Sequence, residues 1–139
     1  MHATEGKGGW DEETLRGLHC TMIGIDLIKL ERMARLMERY GERGLRRFLS
    51  ETELSLVKNH KTAAGFWAAK EACAKALGSG IGAECGFHDI TLSKTEKGAP
   101  IITLAPRVAE RFGITGTSLS ITHDGDYAVA VVALERERR

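Results

Sequence analysis

Residues 66–80 read Phe-Trp-Ala-Ala-Lys-Glu-Ala-Cys-Ala-Lys-Ala-Leu-Gly-Ser-Gly, and the organisation of the chain follows from this stretch. Glu71 and Lys75 lie four residues apart, so a helix would place them on one face among small alanines. The loop Gly78, Ser79 and Gly80 comes directly afterwards. A carboxylate, a lysine and a glycine-rich loop together indicate a phosphate-binding site. The alternative is an ordinary Glu–Lys helix pair, worth a few tenths of a kcal/mol, with a glycine cap.

A second stretch, residues 22–28, reads Met-Ile-Gly-Ile-Asp-Leu-Ile and places one acid inside an apolar run. Such a run predicts a short buried strand. Strands disfavour aspartate, and burial of an unpaired carboxylate is costly. Asp26 is therefore expected at a strand end, in an ion pair or at a bound cation. The alternative, in which the strand stops at Ile25 and Asp26 is a solvated or capping residue, stays open.

Taken together, these motifs resemble those of the 4′-phosphopantetheinyl transferases, in particular the small bacterial type of that family. The first motif is glycine, any residue and aspartate, with arginine six residues after the aspartate. The second is an aromatic residue followed by Ala-Ala-Lys-Glu-Ala, with a further lysine and glycine. A late pair of strands is similar as well. The matching residues are Gly24, Ile25, Asp26 and Arg32; 67–72, Lys75 and Gly78; and 120–123 with 127–130.

The resemblance implies a reaction and the residues that carry it. The 4′-phosphopantetheine group of coenzyme A passes to a serine of an apo acyl carrier protein, and adenosine 3′,5′-bisphosphate leaves. Asp26 and Glu71 are expected to bind Mg²⁺, which prefers oxygen ligands and takes only one or two protein carboxylates. Lys75 would contact the phosphates. Glu71 is also a candidate general base, and the sequence does not separate that role from metal binding.

Further contacts to coenzyme A are implied by the same resemblance. The backbone of Gly78, Ser79 and Gly80 would approach the phosphates. Thr122 and His123 would contact the nucleotide end, in one version from a neighbouring subunit. Lys70 points about 100° away from Glu71 around a helix, so it is expected either to serve the 3′-phosphate or to lie at the surface. Many family members carry an arginine where this chain has Phe66, which leaves the 3′-phosphate contact unassigned.

A basic stripe follows the first strand. Arg32, Arg35 and Arg39 recur at helical spacing beside an apolar stripe. A basic helix face is often only solvated. The resemblance favours a docking surface for the acidic, helical carrier protein instead, because complementary charge speeds encounter and sets register. Fatty-acid synthesis is the expected pathway.

Length and composition limit the class of protein. The chain has 139 residues and a formal net charge of +1, which argues against bulk nucleic-acid binding. No apolar run is long enough for a membrane span, and no secretory signal is expected. The three cysteines, Cys20, Cys73 and Cys85, have no metal-ligand spacing and indicate reduced thiols in a cytoplasmic protein.

The pattern of elements predicts an α+β fold with a small, mostly antiparallel sheet packed against helices. One domain is expected over residues 22–139, and residues 1–21 are expected to be a flexible extension, a misassigned start or a cloning remnant. The alternative is a short helix over residues 11–18 that packs on the domain. The last strand, 128–134, is apolar at both parities, so both of its faces should be covered. A helix or a second subunit could provide that cover, and the resemblance implies a homotrimer.

Two other functions remain possible from the sequence. One is a different Mg²⁺-dependent phosphotransferase that uses the same two carboxylates. The other is a non-catalytic adaptor that binds an acidic helical protein through its arginines. The adaptor would tolerate loss of Asp26 and Glu71, whereas either enzyme would not.

Overall fold

The computed structural model describes residue 11 and residues 19–137 and confirms the predicted mixture of helices and small antiparallel sheets. Helices and strands alternate irregularly along the chain, as in an α+β fold. The elements in order are β1 (His19–Lys29), α1 (Leu30–Tyr40), α2 (Glu42–Arg46), α3 (Glu51–Leu54), α4 (His60–Leu77), β2 (Ile90–Lys94), β3 (Pro100–Leu104), α5 (Pro106–Phe112), β4 (Ile114–Asp124) and β5 (Tyr127–Glu137).

The main sheet has the strand order β1-β5-β4 and is antiparallel throughout. Because side chains alternate along a strand, the register sorts residues onto two faces. One face packs on α4 and carries the fully buried residues Ala128, Ala130 and Val132 of β5. The opposite face is apolar and open in the single chain. It consists of Ile23, Ile25 and Leu27 of β1 with Val129, Val131 and Ala133 of β5.

The long helix α4 lies in direct contact with β1. Asn59 caps it, since its Oδ1 accepts from the backbone N–H groups of Lys61 and Thr62. A Cβ at Gly24 would come within 1.9 Å of the carbonyl oxygen of Ala72. Only glycine permits this approach, and it brings the backbones of β1 and α4 together next to both predicted carboxylates.

Several element boundaries differ from the prediction. β1 begins at His19, so residues 19–21 pair with β5 instead of belonging to an extension. The rest of the predicted extension, apart from residue 11, lies outside the described residues. α2 was not predicted; it follows Gly41, whose φ of 60° ends α1 and turns the chain. Among the residues that the structure describes, no helix is both long and apolar enough to cross a bilayer.

Candidate active site

Asp26 lies near the carboxyl end of β1, on the face that packs against α4. Its Oδ1 accepts a hydrogen bond from the ammonium Nζ of Lys75 at 2.8 Å, and the same ammonium reaches the carbonyl oxygen of Ile25 at 3.3 Å. The hydrogen bond to Asp26 raises the pKa of Lys75. Of the alternatives for Asp26 that the sequence left open, the structure shows the ion pair.

Glu71 lies one turn before Lys75 on α4, so it shares the helix face that is turned toward Asp26. Burial raises the pKa of Glu71, and the nearby charge of Asp26 raises it further. Lys75 and Arg32 of α1 act in the opposite direction and lower this pKa. Two carboxylates and two cations from β1, α1 and α4 therefore lie near one another. The motifs predicted that the fold would bring Asp26 and Glu71 together, whereas Arg32 was expected on a docking surface.

The donor set at this site fits Mg²⁺. Asp26 and Glu71 provide carboxylate oxygens on two rigid elements, which is the usual protein share of a Mg²⁺ shell completed by phosphate oxygens and water. Within the described part of the chain, no cluster of three or more histidine, cysteine or acidic side chains could hold a metal ion by itself. An ion held by two carboxylates would thus depend on substrate oxygens for the rest of its ligands.

The glycine-rich loop begins where α4 ends. Gly78 adopts the left-handed conformation that ends the helix, with φ of 82°, and Gly80 has φ of 66°. The backbone N–H of Gly80 donates to the carbonyl of Ala74, and the hydroxyl of Ser79 donates to the carbonyl of Gly80. A Cβ at Gly78 or Gly80 would meet nothing within 4 Å. The loop therefore leaves open space next to Lys75.

Lys70 does not reach this site. Its side chain is fully buried, and its ammonium donates to the carbonyls of Phe48 at 2.7 Å and Phe87 at 3.1 Å and to Oε1 of Glu53 at 2.9 Å. An ammonium has three N–H donors, so no donor remains for a ligand. The prediction that Lys70 serves the 3′-phosphate or lies at the surface is wrong, because its face of α4 packs into the core.

Thr122 and His123 lie at the end of β4 and point to opposite faces of the sheet. Thr122 pairs with Val129 and shares the open apolar face. His123 faces α4, where its Nε2 donates to the carbonyl of Lys61 at 2.9 Å. Lys61 precedes Glu71 by ten residues, or about 15 Å of helix. Within one chain, His123 is thus well separated from Asp26 and Glu71.

A separate cavity of about 190 Å³ lies beside His123. Phe66 occupies the position where many family members have an arginine, and it is almost fully buried in the wall of this cavity. The cavity is also lined by a cation that was not among the predicted site residues, Lys94 at the end of β2. No sequence signal marks Lys94, because the β2–β3 hairpin meets α4 only in the folded chain.

The three arginines predicted to dock a partner lie on the exposed side of α1, but their surroundings differ. Arg32 lies near Glu71 and lines a small crevice with Trp67 of α4. Arg35 donates to Glu31 at 2.5 Å, and Arg39 stacks over the ring of Tyr40. Arg32 therefore belongs to the edge of the carboxylate site, while Arg35 and Arg39 extend a basic surface away from it.

Comparison with known proteins places this geometry in a family. Residues 22–132 match the model of the 4′-phosphopantetheinyl transferase superfamily. The holo-[acyl-carrier-protein] synthase of Sulfurimonas denitrificans is 63% identical over 114 residues, covering 82% of this chain and 94% of the relative. The synthase of Wolinella succinogenes is 58% identical over 117 residues, covering 84% and 99%.

Solved structures agree with the sequence relatives. The crystal structure of Helicobacter pylori holo-[acyl-carrier-protein] synthase in complex with coenzyme A is 45% identical with a TM-score of 0.79, covering 81% of this chain and 99% of that one. The synthase from Neisseria meningitidis is 32% identical with a TM-score of 0.74, covering 81% and 96%. Because motifs, fold and overall sequence agree, this chain belongs to the 4′-phosphopantetheinyl transferase superfamily and, within it, to the holo-[acyl-carrier-protein] synthases.

Proposed function

We propose that this chain transfers 4′-phosphopantetheine from coenzyme A to a serine of an apo acyl carrier protein at the site of Asp26, Glu71 and Lys75. The observation that carries the proposal is the meeting of two carboxylates and one ammonium from β1 and α4, with Asp26 and Lys75 only 2.8 Å apart. Family membership favours this reaction over another phosphotransferase or a non-catalytic adaptor.

In the proposed reaction, the serine hydroxyl attacks the phosphorus next to pantetheine. The new bond joins the serine oxygen to that phosphorus, and the bond to the departing adenosine 3′,5′-bisphosphate breaks. Glu71 accepts the serine proton; its raised pKa suits it to this role, since a good general base has a pKa near the working pH. Lys75 neutralises charge on the phosphates, and the open loop at Gly78 and Gly80 gives them room to approach.

Asp26 and Glu71 are proposed to hold Mg²⁺. When bound, the ion would supply positive charge that offsets the developing charge on the phosphates. In this arrangement Asp26 on β1 would serve only as a metal ligand, whereas Glu71 on α4 would both bind the ion and accept the serine proton. The contact with the 3′-phosphate is proposed for Lys94 with His123, at the cavity of about 190 Å³ where Phe66 replaces the usual arginine.

The acidic carrier protein is proposed to dock on α1 through Arg32, Arg35 and Arg39. Arg39 is the best test residue, because it lies two turns of α1 beyond Arg32. Among the described residues it makes no ion pair, only its stacking contact with Tyr40. R39E should raise the apparent KM for the carrier protein and leave the Kd for coenzyme A unchanged. An unchanged KM would mean that this face is only solvated.

A homotrimer is proposed, with the open apolar face of the sheet as the interface. Ile23, Ile25 and Leu27 are 68%, 58% and 57% exposed in the single chain, and contiguous apolar patches of this kind mark association sites. The same face carries Thr122, which would bring it to a neighbouring subunit. I25K should therefore dissociate the assembly, as measured by light scattering after size exclusion.

The reaction is proposed to take place in the cytoplasm during fatty-acid synthesis. All three cysteines are free thiols, and Cys73 and Cys85 are buried, as expected of a protein from a reducing compartment.

Intact-protein mass spectrometry tests the proposed function. An apo acyl carrier protein is incubated with this chain, coenzyme A and Mg²⁺, with and without EDTA. The expected result is a mass gain of one phosphopantetheinyl group that EDTA abolishes. A mass gain that persists in EDTA would overturn the proposed metal dependence. If the chain binds coenzyme A but the carrier protein gains no mass, the choice of carrier protein would be overturned.

A further inference from the structure

The ammonium of Lys75 lies close enough to interact with both carboxylates of the site. It donates to Oδ1 of Asp26 at 2.8 Å, and its charge also acts on Glu71. The site assigned above to a divalent ion thus already has a positive charge, supplied by the chain itself.

We propose that Lys75 is an internal counter-ion that competes with the divalent cation for Asp26 and leaves for the phosphates of coenzyme A when these arrive. The inference rests on the proposed function, because it takes Asp26 and Glu71 as metal ligands and Lys75 as a phosphate contact. It adds an order to binding: metal and anionic substrate should each favour the other.

The two partners of this ion pair differ in mobility. Asp26 lies on the face of β1 that packs against α4, and its side chain is only 14% exposed, whereas the lysine side chain is 55% exposed. A lysine has a long flexible stem with a compact charge at its end. Because the ammonium end of the pair reaches solvent, Lys75 loses little by giving up this contact when another anion replaces it. Lys75 can therefore leave Asp26 at small cost, while Asp26 stays in place.

The open loop after α4 leaves space into which the Lys75 ammonium can move. Gly78 and Gly80 leave free space where a side chain would otherwise stand, and Lys75 lies one turn of helix before them. An anion entering there would attract the ammonium and release Oδ1 of Asp26. By linkage, whatever the anion adds to metal affinity, the metal adds to anion affinity, and such coupling is typically about 5- to 150-fold.

Electron paramagnetic resonance of Mn²⁺ tests the competition without measuring activity. Mn²⁺ is titrated into the full chain without coenzyme A, as wild type, K75M and K58M. Lys58 is an exposed lysine in the loop before α4, so K58M matches the change of charge. K75M should bind Mn²⁺ at least about fivefold more tightly than wild type, and K58M should match wild type.

Equal or weaker Mn²⁺ binding by K75M would overturn the inference. K75Q is a second variant in case K75M melts at a lower temperature than wild type. The titration is then repeated with coenzyme A present. Coenzyme A should raise the Mn²⁺ affinity less in K75M than in wild type, because K75M has no ammonium to withdraw from Asp26. Chelation of Mn²⁺ by coenzyme A itself is common to both proteins and cancels in the comparison.

D26N separates failure of the inference from failure of the proposed metal site. If D26N loses Mn²⁺ in both the wild-type and K75M backgrounds while K75M alone gains nothing, the metal site stands and the competition is wrong. If D26N keeps full Mn²⁺ affinity, the metal site proposed above is wrong.

Discussion

Helix α4 carries two lysine–carboxylate pairs five residues apart, and they have opposite surroundings. Lys70 and Glu53 are 0% and 1% exposed, and their remaining hydrogen bonds go to backbone groups. Lys75 is 55% exposed and contacts Asp26 at the edge of an open loop. The first pair is fully satisfied within the fold, whereas the ammonium of the second has one N–H donor left for a ligand.

The difference shows that one motif serves two purposes. The Lys70 pair fastens α4 to α3 and β2, because Glu53 also accepts from the backbone N–H groups of Ser50 and Leu92. The Lys75 pair makes no comparable set of contacts and can rearrange. The buried Lys70–Glu53 pair thus holds α4 in place, while the Lys75–Asp26 pair on another face of the helix can break without loosening it.

Loss of the buried lysine should have the largest effect. K70M would leave the Glu53 carboxylate and two backbone carbonyls without their ammonium, and removal of one partner from a buried pair costs about 3–5 kcal/mol. The free energy of unfolding from urea titration measures this loss. A loss below about 1 kcal/mol would show that the two pairs are energetically alike and would break the comparison.

K75M should show the reverse pattern. Transfer to the carrier protein should fall by about 10²–10³-fold, as for loss of one donor to a developing charge. The free energy of unfolding should change by less than about 1 kcal/mol, since the Lys75 ammonium that is lost is exposed to solvent. Steady-state kinetics and urea titration on the same sample measure both quantities. A stability loss as large as that of K70M would contradict the contrast.

The double variant K70M/E53Q sharpens the assignment of the buried pair. Glutamine at position 53 removes the negative charge that K70M leaves without a partner, and its side-chain carbonyl oxygen can still accept from the backbone N–H of Ser50 or Leu92. About half of the stability lost in K70M, about 2 kcal/mol, should therefore return. Urea titration of the single and double variants completes the cycle. No recovery would mean that the hydrogen bonds of Lys70 matter more than its charge.

The smallest expected effect concerns Glu71 and pH. Burial and Asp26 raise the pKa of Glu71 above its usual value of 4.5, so the folded chain binds this proton more readily than the unfolded chain. Stability is therefore lost as pH rises through the raised pKa. E71Q should melt higher than wild type at pH 7, by about 2 °C or less, and the two should converge below about pH 4.5. Identical melting at both pH values would contradict the raised pKa.

Much of the fold followed from local patterns, and the family predicted from two motifs is confirmed. The proximity of Asp26 and Glu71 was predicted because both motifs are short and lie on single elements, whereas the hydrogen bond from Lys75 to Asp26 was not predicted. Lys70 was misplaced because an alanine-rich helix has apolar residues all round, so its sequence does not reveal which side is buried. Lys94 was missed since its neighbours come from distant parts of the chain.

The functional roles of these residues stay predictions, as does the trimer. A single sequence gives the apolar alternation of β1 and β5 but does not distinguish cover by a helix from cover by another chain. In the structure one face meets α4 and the other stays open.

The backbone contact at Gly24 also bears on ion size. A Cβ at Gly24 would lie 1.9 Å from the carbonyl oxygen of Ala72, so the absence of a side chain there lets β1 and α4 approach closely beside Asp26 and Glu71. Mg²⁺ binds oxygen at about 2.0–2.1 Å, while Ca²⁺ needs about 2.3–2.6 Å and more ligands. If Asp26 and Glu71 hold one ion, this close approach of their backbones favours the smaller Mg²⁺, and Gly24 would then contribute to the choice of ion without touching it.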